Sequence, residues 1–245
     1  TTATTLNAGE YYMYAVIAGD TNYNDCTTST TAFTILKANN TVVVTGKTEL
    51  KYTGLSQELV TVANAQGEMY FAIGTELTKD NYNSVGNTAI PAETNANIDG
   101  YWVYWYCVGN NNYDAKSGNV KVTIDKADGI LELSANSVSA EYPNTASNTI
   151  TKSHGGLIEV KSSNNEIATV TLTGSVITIT PLQQNEVEIS VTCNETENYK
   201  AKTITFTAKF TVGEISYSAS SYTGIYDENA HGITVTSSTE GAQIS

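Results

Sequence analysis

Histidine is the side chain best suited to general base chemistry near neutral pH, and the chain carries two, His154 and His231. Hydrolysis also needs a nucleophile and an orienting acid that converge in one cleft. His154 lies in the run Ser153–Gly156, which predicts a loop tip, while His231 precedes a predicted strand in a different segment. No Gly-x-Ser-x-Gly, His-Glu-x-x-His or glycine-rich phosphate motif occurs. We therefore predict no catalytic residue and no cofactor site, and expect that the protein is not an enzyme.

A second candidate for chemistry is the aromatic segment Tyr101–Val108, which reads as a strand. Alternate side chains of a strand point to opposite faces. The face predicted to meet the core carries Tyr101, Val103, Trp105 and Cys107. The other face presents Trp102, Tyr104 and Tyr106, and a row of exposed rings can stack on sugar rings. Two interpretations stay open, a carbohydrate-binding surface and packing against neighbouring strands or the next domain.

The run Asp20–Asp25 offers side-chain oxygens at alternate positions, as a calcium loop does. The glycine expected at the sixth position of such a loop is absent, and Thr31 stands where the twelfth-position glutamate belongs. The related run Gly109–Asp114 is rich in asparagine, which favours a structural turn and no metal, with calcium as the alternative. We expect these loops to be anchored by the tyrosine that follows an asparagine in each, namely Tyr23, Tyr113 and Tyr199.

Charge excludes several kinds of partner. The net charge is −13, and all twelve basic residues are lysines. Nucleic-acid binding needs clustered cations, and arginine is the usual reader of bases and phosphates. An acidic surface also disfavours anionic membranes, and no apolar run approaches the ~18 residues of a spanning helix. We therefore expect no nucleic-acid partner and no membrane insertion.

Three cysteines, Cys26, Cys107 and Cys193, are too few for a disulfide framework. Cys107 and Cys193 each lie six residues before the tyrosine of an Asn-Tyr pair, so we place them in equivalent positions of separate repeats, beyond disulfide reach. Each cysteine is predicted to be a small buried residue of a strand. The sequence leaves open a Lys–Asn isopeptide crosslink, which would need a lysine, an asparagine or aspartate, and a glutamate buried together.

The elements that position these residues repeat along the chain. The segment Gly9–Tyr23 returns as Asp99–Tyr113, and both copies run on to a Lys-Ala pair at residues 37–38 and 126–127. Self-similarity of this kind indicates an array of small units. Abundant threonine, valine, asparagine and glycine favour strands and turns, and no convincing helical periodicity is present.

One complete unit is predicted between residues 39 and 127. It contains about seven short strands, the last at Val120–Ile124. Two of them are predicted to form a hairpin around Asn64–Gly67, and a long polar loop spans Lys79–Asn97. A second unit at residues 128–212 also reads as alternating strands and ends in the same Cys, Asn-Tyr order. The predicted fold is all-β, a linear array of Ig-like antiparallel sandwiches.

The ends read as incomplete repeats. Residues 1–38 match the second half of a unit, with Tyr11 on Tyr101, and residues 213–245 match the first half, with Tyr226 on Tyr52. Neither half is expected to hold a sandwich alone. Either another copy completes each half by strand exchange, which would build an open filament, or the sequence is an excised piece cut through one repeat.

A family resemblance rests on these motifs. The chain resembles the MBG-type bacterial Ig-like repeats in two places. One is the set of motifs Gly-x-Tyr-x-Val, Asn-Tyr and Ile-x-Lys-Ala, and the other is the run Tyr217–Val235. Residues 128–212 resemble the group-2 bacterial Ig-like domain through Val160–Val170 and Val187–Thr192. Asp99-Gly100 and Glu228 depart from the MBG pattern. The resemblance implies domains at 1–38, 39–127, 128–212 and 213–245, and a secreted or cell-surface location.

The function that follows is mechanical. We expect a stalk, spacer or fibre segment of an adhesin-like bacterial protein, whose partners are other domains of the same long protein and, through the end repeats, copies of itself. The alternative is a carbohydrate-binding module that uses Trp102, Tyr104 and Tyr106 on polysaccharide.

Overall fold

The computed structural model describes residues 5–238, which form many short strands and one helix. This confirms the predicted all-β class with several antiparallel sheets. The chain divides into two units, one running to Ala127 and including Glu197–Tyr199, the other comprising Asp128–Thr196 and the residues from Lys200. Within the described part, no helix has the length and hydrophobicity needed to cross a membrane.

The first unit begins with four short strands, β1 (Gly9–Met13), β2 (Val16–Ile17), β3 (Cys26–Thr27) and β4 (Thr31–Ile35). Strand β1 pairs with β4, and β2 pairs with β3, both antiparallel. Their apolar side chains are largely uncovered, because Met13, Val16 and Ile17 are each 60% or more exposed. This part of the unit therefore has paired strands without an enclosed core of its own.

The remainder of the first unit is a sandwich. Its elements are β5 (Val43–Gly46), β6 (Leu50–Lys51), β7 (Gln57–Glu58), β8 (Val60–Ala63), β9 (Met69–Ile73), α1 (Tyr82–Val85), β10 (Ala92–Glu93), β11 (Asn97–Cys107) and β12 (Lys116–Asp125). One sheet has the order β6-β12-β11-β9, in which β6 is parallel to β12. Strands β5 and β8 form a separate antiparallel pair, as do β7 and β10.

The core of this sandwich joins the larger sheet to the β5–β8 pair. Its most buried members are Val42, Leu59, Val60, Phe71, Val103, Trp105, Cys107, Val122 and Ile124. Strand β11 contributes Val103, Trp105 and Cys107, the predicted inward face, while Tyr101 packs at the margin and stays half-buried. Burial of such side chains contributes about 1.5–3 kcal/mol each and holds the two layers together.

Two predictions for this region are wrong. The segments flanking Asn64–Gly67 do not form a hairpin, since β8 pairs with β5 while β9 pairs with β11. The turn instead carries the chain from one sheet to the other, and both strands keep their apolar side in the core. The polar loop Lys79–Asn97 is also not structureless, because it contains helix α1 and strand β10.

The second unit is a sandwich of two four-stranded sheets. Its strands are β13 (Leu131–Leu133), β14 (Ser137–Glu141), β15 (Ala146–Lys152), β16 (Ile158–Ser162), β17 (Ala168–Thr173), β18 (Val176–Pro181), β19 (Glu186–Cys193) and β20 (Lys202–Thr211). The sheets have the orders β13-β15-β18-β17 and β14-β20-β19-β16. Inward residues of both sheets make one core, with Ile177, Ile179, Ile189 and Val191 at 0% exposure.

A buried asparagine braces the edge of this core. Asn148 on β15 is 2% exposed, and its Oδ1 accepts hydrogen bonds from the Ser134 hydroxyl and the backbone N–H groups of Ala135 and Thr149. Its Nδ2 donates to the Ala135 carbonyl oxygen. The side chain therefore satisfies both backbone groups of Ala135, in the connection between β13 and β14.

After β20 the chain forms a two-stranded ribbon of β21 (Tyr217–Ala219) and β22 (Val235–Ser237). Tyr217 on β21 is 74% exposed, and Ile225 in the segment between the two strands is 93% exposed. Residues 1–4 and 239–245, which carry the ends of both predicted half-repeats, lie outside the described part.

The cysteines do not share one environment. Cys107 and Cys193 are fully buried at the ends of β11 and β19, and each thiol lies against a glycine carbonyl, that of Gly67 or Gly156. The two positions are therefore equivalent, as the spacing to the tyrosines predicted. The prediction of burial is wrong for Cys26, which is exposed on the short strand β3.

We predict that one thiol, that of Cys26, reacts rapidly with a thiol reagent in the native protein. Cys107 and Cys193 are free but buried, so their modification requires opening of a sandwich. Mass spectrometry of the labelled peptides checks this, with the denatured protein as the control in which all three react. Fast native labelling of Cys193 would contradict the structure.

Candidate functional site

The aromatic row is interrupted. The ring of Tyr106 stacks on that of Tyr82 from helix α1, with centroids 4.8 Å apart and planes 10° from parallel. Tyr82 in turn packs edge-on against Tyr70 at 4.9 Å. Tyr106 is consequently only 9% exposed, and burial raises the pKa of its phenol. The predicted exposure of Tyr106 is therefore wrong, because helix α1, inside the predicted polar loop, carries the Tyr82 ring that covers it.

Trp102 and Tyr104 remain on the outer face of β11. The Trp102 side chain is 44% exposed, and Lys121 Nζ lies 5.5 Å from the centroid of its ring. Tyr104 is half-buried. This leaves one exposed indole beside a partly covered phenol, which is enough for one stacking contact and no longer a row of three.

A more regular site lies at the loop that follows β11. The Oδ1 of Asn110 accepts the N–H groups of Asn112 and Tyr113, at 2.8 and 3.0 Å. The N–H of Asn110 donates to the Tyr113 carbonyl oxygen at 3.0 Å, which closes the turn. Asparagine suits this position because its short side chain mimics a backbone acceptor. The tight turn leaves the carbonyl and the side-chain amide of Asn112 available for hydrogen bonds to residues outside the loop.

The loop after β2 has the same construction. Asp20 Oδ1 accepts the N–H groups of Asn22 and Tyr23 at 2.8 and 3.0 Å, and the N–H of Asp20 donates to the Tyr23 carbonyl at 2.9 Å. A carboxylate and a neutral amide therefore do the same work in the two loops. Among the described residues no group of three or more acidic, cysteine or histidine side chains is placed to hold a metal ion. The structural interpretation of the loop explains every one of these contacts.

Each of the two loops begins with a glycine for a steric reason. A Cβ on Gly109 would lie 2.4 Å from the Tyr113 carbonyl oxygen, and a Cβ on Gly19 would lie 2.1 Å from that of Tyr23. Carbon and oxygen cannot approach so closely, so any larger residue must open the turn. The glycine, the short acceptor and the Asn-Tyr pair form one structural motif.

The loop asparagine after β11 binds a segment from the start of the chain. Asn112 Oδ1 accepts the N–H of Ala8 at 2.8 Å, and its Nδ2 donates to Asn7 Oδ1 at 3.0 Å. The Asn112 carbonyl accepts the N–H of Ala38 at 2.8 Å, and the N–H of Asp114 donates back to the Ala38 carbonyl at 2.9 Å. We call this group of Asn7, Ala8, Ala38 and Asn112 the first clasp. It ties an Asn-Ala pair and a linker alanine to one loop.

The same contacts recur around Asn198. Its Oδ1 accepts the N–H of Ala96 at 2.8 Å, its Nδ2 donates to Asn95 Oδ1 at 3.2 Å, and its carbonyl accepts the N–H of Ala127 at 2.9 Å. The segment Glu197–Tyr199 belongs to the first unit together with these partners. We call Asn95, Ala96, Ala127 and Asn198 the second clasp. The same hydrogen-bond pattern thus occurs twice in the first unit, each time fixing an Asn-Ala pair and a later alanine to an Asn-Tyr loop.

A tyrosine hydroxyl braces each Asn-Ala pair. Tyr11 donates to the Asn7 carbonyl at 2.8 Å, and Tyr101 donates to the Asn95 carbonyl at 2.9 Å. The pKa of Tyr101 is raised, first by burial and then by the nearby carboxylates of Glu93 and Glu197. A neutral phenol is required, because a phenolate cannot donate this bond.

This shift predicts a loss of stability at alkaline pH. The folded-state pKa of Tyr101 lies above its unfolded value, so its contribution is complete below the unfolded pKa and is lost as pH rises through the folded pKa. We expect Tyr101→Phe to remove the part of the alkaline destabilisation of the first unit that this phenol causes. Tryptophan fluorescence during denaturant unfolding at several pH values checks this, and Tyr104→Phe, whose phenol is not in a clasp, is the control.

The predicted loop tyrosines have different surroundings. Tyr113 is half-buried and its backbone bridges to Ala38, while Tyr199 bridges to Ala127 and packs edge-on against Tyr52 with centroids 5.3 Å apart. Tyr23 is 76% exposed.

The Asn-Ala pairs of the clasps were not identified from the sequence. Asn7 lies four residues before Tyr11, but Asn95 lies six before Tyr101, because β11 has an irregular register between Asn97 and Tyr101. Aligning the tyrosines therefore placed Asn7 on the wrong residue. The signal was the repeated Asn-Ala dipeptide, which becomes visible once two extra residues are allowed ahead of the strand.

The histidines do not form a catalytic cleft with a nucleophile. His154 Nε2 lies 3.6 Å from Cys193 Sγ, but that thiol is 0% exposed and belongs to the core. His231 Nε2 lies 2.7 Å from Asp227 Oδ1, and its ring stacks on Tyr222 at 4.4 Å. The hydrogen bond from His231 is the main reason that the pKa of Asp227 is lowered. These contacts fix the positions of the two imidazole rings.

Comparisons with known proteins give a partial match. A family model described as bacterial Ig-like domain (group 2) matches residues 121–206. No curated protein matches the chain. Among solved structures, domains 1–6 of the surface layer protein SbsC align with 86% of this chain at 14% identity and a TM-score of 0.33, and the chain spans about a third (33%) of that structure. Murine CEACAM1b aligns with 69% of this chain and all (100%) of its own length, at 11% identity and a TM-score of 0.29.

Proposed function

We propose that this chain is a non-enzymatic structural segment, a spacer or stalk, of a bacterial protein that acts outside the cell. The observation that carries the proposal is the recurrence of the clasp. Asn112 and Asn198 each accept an alanine N–H, donate to an asparagine and bind a linker alanine through the carbonyl. A hydrogen-bonded anchor that recurs with the sequence repeat suits a structural array.

Further features support this function. The group-2 bacterial Ig-like model covers residues 121–206, and motifs that resemble the MBG-type repeats run through most of the rest. We propose repeats at 1–38, 39–127, 128–212 and 213–245, of which the first and last are halves of the MBG type. The net charge of −13 without arginine keeps such a surface soluble and resistant to non-specific adhesion. Other repeats of the same protein are then the principal partners.

Force spectroscopy on the full chain between two marker domains tests the mechanical role. We expect two discrete unfolding events, for residues 39–127 and 128–212, each releasing roughly 300 Å of chain at ~3.6 Å per residue. Asn112→Ala should lower the force at which the first sandwich gives way, relative to the exposed control Asn119→Ala. Gradual extension at low force without discrete events would overturn the proposal.

A second candidate function is glycan binding through the exposed part of the aromatic face. Trp102 supports it, since the indole is 44% exposed and unblocked by helix α1. Affinity electrophoresis in gels that contain plant or host polysaccharides tests it. Retardation that disappears in Trp102→Ala and persists in Tyr106→Phe supports binding at this face. Equal mobility with and without polysaccharide would dispose of the idea.

A partner proposal concerns the uncovered strands β1–β4. Their apolar side chains, such as Val16 and Ile17, are exposed, and the segment Gly213–Ser245 carries the motifs of the missing half-repeat. A second copy could therefore complete the half by strand exchange, which extends head to tail. Analytical ultracentrifugation over a concentration series decides this, because growth into a ladder of oligomers supports exchange and a strictly monomeric species excludes it.

A further inference from the structure

The loop at residues 19–25 is a third copy of the clasp loop, and among the described residues no Asn-Ala pair is bound to it. The loop from Gly19 to Asp25 has the internal hydrogen bonds of the Asn112 loop, including those from Asp20 to the N–H groups of Asn22 and Tyr23. Both Asn22 and Tyr23 are exposed. Within residues 5–238 the Asn22 side chain makes no hydrogen bond, whereas Asn112 makes two and Asn198 makes two.

We propose that the Asn22 loop is a docking site for a further repeat of the 39–127 type placed directly N-terminal to it. The inference rests on the proposed function and adds the site and its partner. Asn22 Oδ1 accepts the N–H of the alanine in an Asn-Ala pair, and its Nδ2 donates to that asparagine. The Asn22 carbonyl accepts the N–H of a linker alanine.

The two occupied clasps define this partner. In each, the Asn-Ala pair and the linker alanine precede the loop asparagine in the chain. The two Asn-Ala pairs that lie shortly before a tyrosine-led strand, at residues 7–8 and 95–96, are already bound, by Asn112 and Asn198. The sandwich at 128–212 has Asn185-Glu186 ahead of β19, and the Glu186 N–H already donates to Asn185 Oδ1 at 2.8 Å. A repeat with Asn-Ala and a terminal alanine is therefore the matching occupant.

The attachment is suited to a covalently linked neighbour. Three hydrogen bonds of about 1 kcal/mol each are too weak to hold a free partner at ordinary concentration. A short linker supplies millimolar effective concentration, at which such a contact is populated. The docking site therefore selects the adjacent repeat and not a diffusing protein.

A loop graft tests whether the residues of the Asn22 loop can form a clasp. Three substitutions in the full chain, Asn111→Thr, Asp114→Asn and Ala115→Asp, give the Asn112 loop the sequence of residues 19–25 except at Asn110, which is kept because its Nδ2 donates to the Gln66 carbonyl. We expect the Ala8 amide to keep its hydrogen-exchange rate within about threefold. An increase of tenfold or more, equal to that in Asn112→Ala, would show that this sequence cannot bind an Asn-Ala pair and would overturn the proposal.

A tandem extension tests the docking itself. Because Asn7 matches Asn95, residue 1 takes the place of Ala89 in the repeat. The extended protein therefore carries residues 39–127 and then 39–88 ahead of the full chain. We expect Ala96 of the added copy to exchange as slowly as the resident Ala96. Asn22→Ala should then accelerate the added Ala96 at least tenfold and leave the resident Ala96 unchanged.

One exchange result in the extended protein would overturn the inference. Fast exchange at the added Ala96, with the resident Ala96 and Ala8 still protected, would show that the repeats fold without docking and would overturn the inference. Discrete unfolding events in the force measurement would leave the structural function intact in that case. Loss of those events would instead count against the proposed function, so the two failures are distinguishable.

Discussion

Replacing Asn148 with alanine is expected to lower the free energy of unfolding of the second unit by about 3 kcal/mol. The side chain is 2% exposed and satisfies the N–H groups of Ala135 and Thr149 and the hydroxyl of Ser134. Alanine removes the amide and leaves most of its volume empty, so the half-buried N–H and carbonyl of Ala135 lose their side-chain partner and are desolvated without one. The expected cost is the sum of that desolvation and a small cavity.

The slowest exchanging amides of the second unit measure this effect, and Ile189 on the central strand β19 is the natural reporter. Its exchange should accelerate by about two orders of magnitude, since 1.4 kcal/mol corresponds to a factor of ten. Asn165→Ala is the matched control, because that side chain is exposed and the change should stay within about 0.5 kcal/mol. Equal exchange rates in the two variants would mean that Asn148 does not brace the fold.

Substitution of Gly109 by alanine is expected to cost about 2–3 kcal/mol in the first unit and to open the first clasp. The added Cβ would lie 2.4 Å from the Tyr113 carbonyl oxygen, which is backbone and cannot rotate away. The turn must widen, and Asn112 then loses the position from which it binds Ala8. Denaturant unfolding followed by tryptophan fluorescence measures the cost, since both tryptophans lie in this unit.

Gly19→Ala is the matched control for this prediction. It creates the same clash, with a Cβ 2.1 Å from the Tyr23 carbonyl, in a loop whose asparagine holds no partner among the described residues. We expect it to leave the exchange of the Ala8 amide unchanged, whereas Gly109→Ala accelerates it at least tenfold. If both variants left Ala8 protected, the clasp would not depend on the turn.

The strand core was predictable from the sequence because alternation carries the information. Val103, Trp105 and Cys107 point inward on β11, and a one-residue slip would have exposed all three. Cys107 and Cys193 take equivalent places because the repeats keep their spacing from the cysteine to the tyrosine. Patterns of this kind depend on local sequence and therefore survive without a structure.

Which strand pairs with which, and which side chain covers which, was less predictable, because these contacts join residues far apart in the chain. Nothing near Asn64 indicates that its flanking strands join different sheets, and nothing near Tyr106 indicates that Tyr82 covers it. The clasps were missed for a related reason, since Asn112 binds Ala8 across more than one hundred residues (104). The unequal spacing ahead of Tyr11 and Tyr101 hid the repeat that would have revealed them.

The most direct test of the clasp is residue-resolved hydrogen exchange on Asn112→Ala and Asn198→Ala. Removing each side chain deletes one acceptor, so Asn112→Ala should accelerate exchange at Ala8 about tenfold and leave Ala96 alone, while Asn198→Ala should do the reverse. This crossed pattern is what two separate loop attachments predict. If neither substitution changed the protection of Ala8 or Ala96, the account in which the Asn-Tyr loops hold the two Asn-Ala pairs would be contradicted.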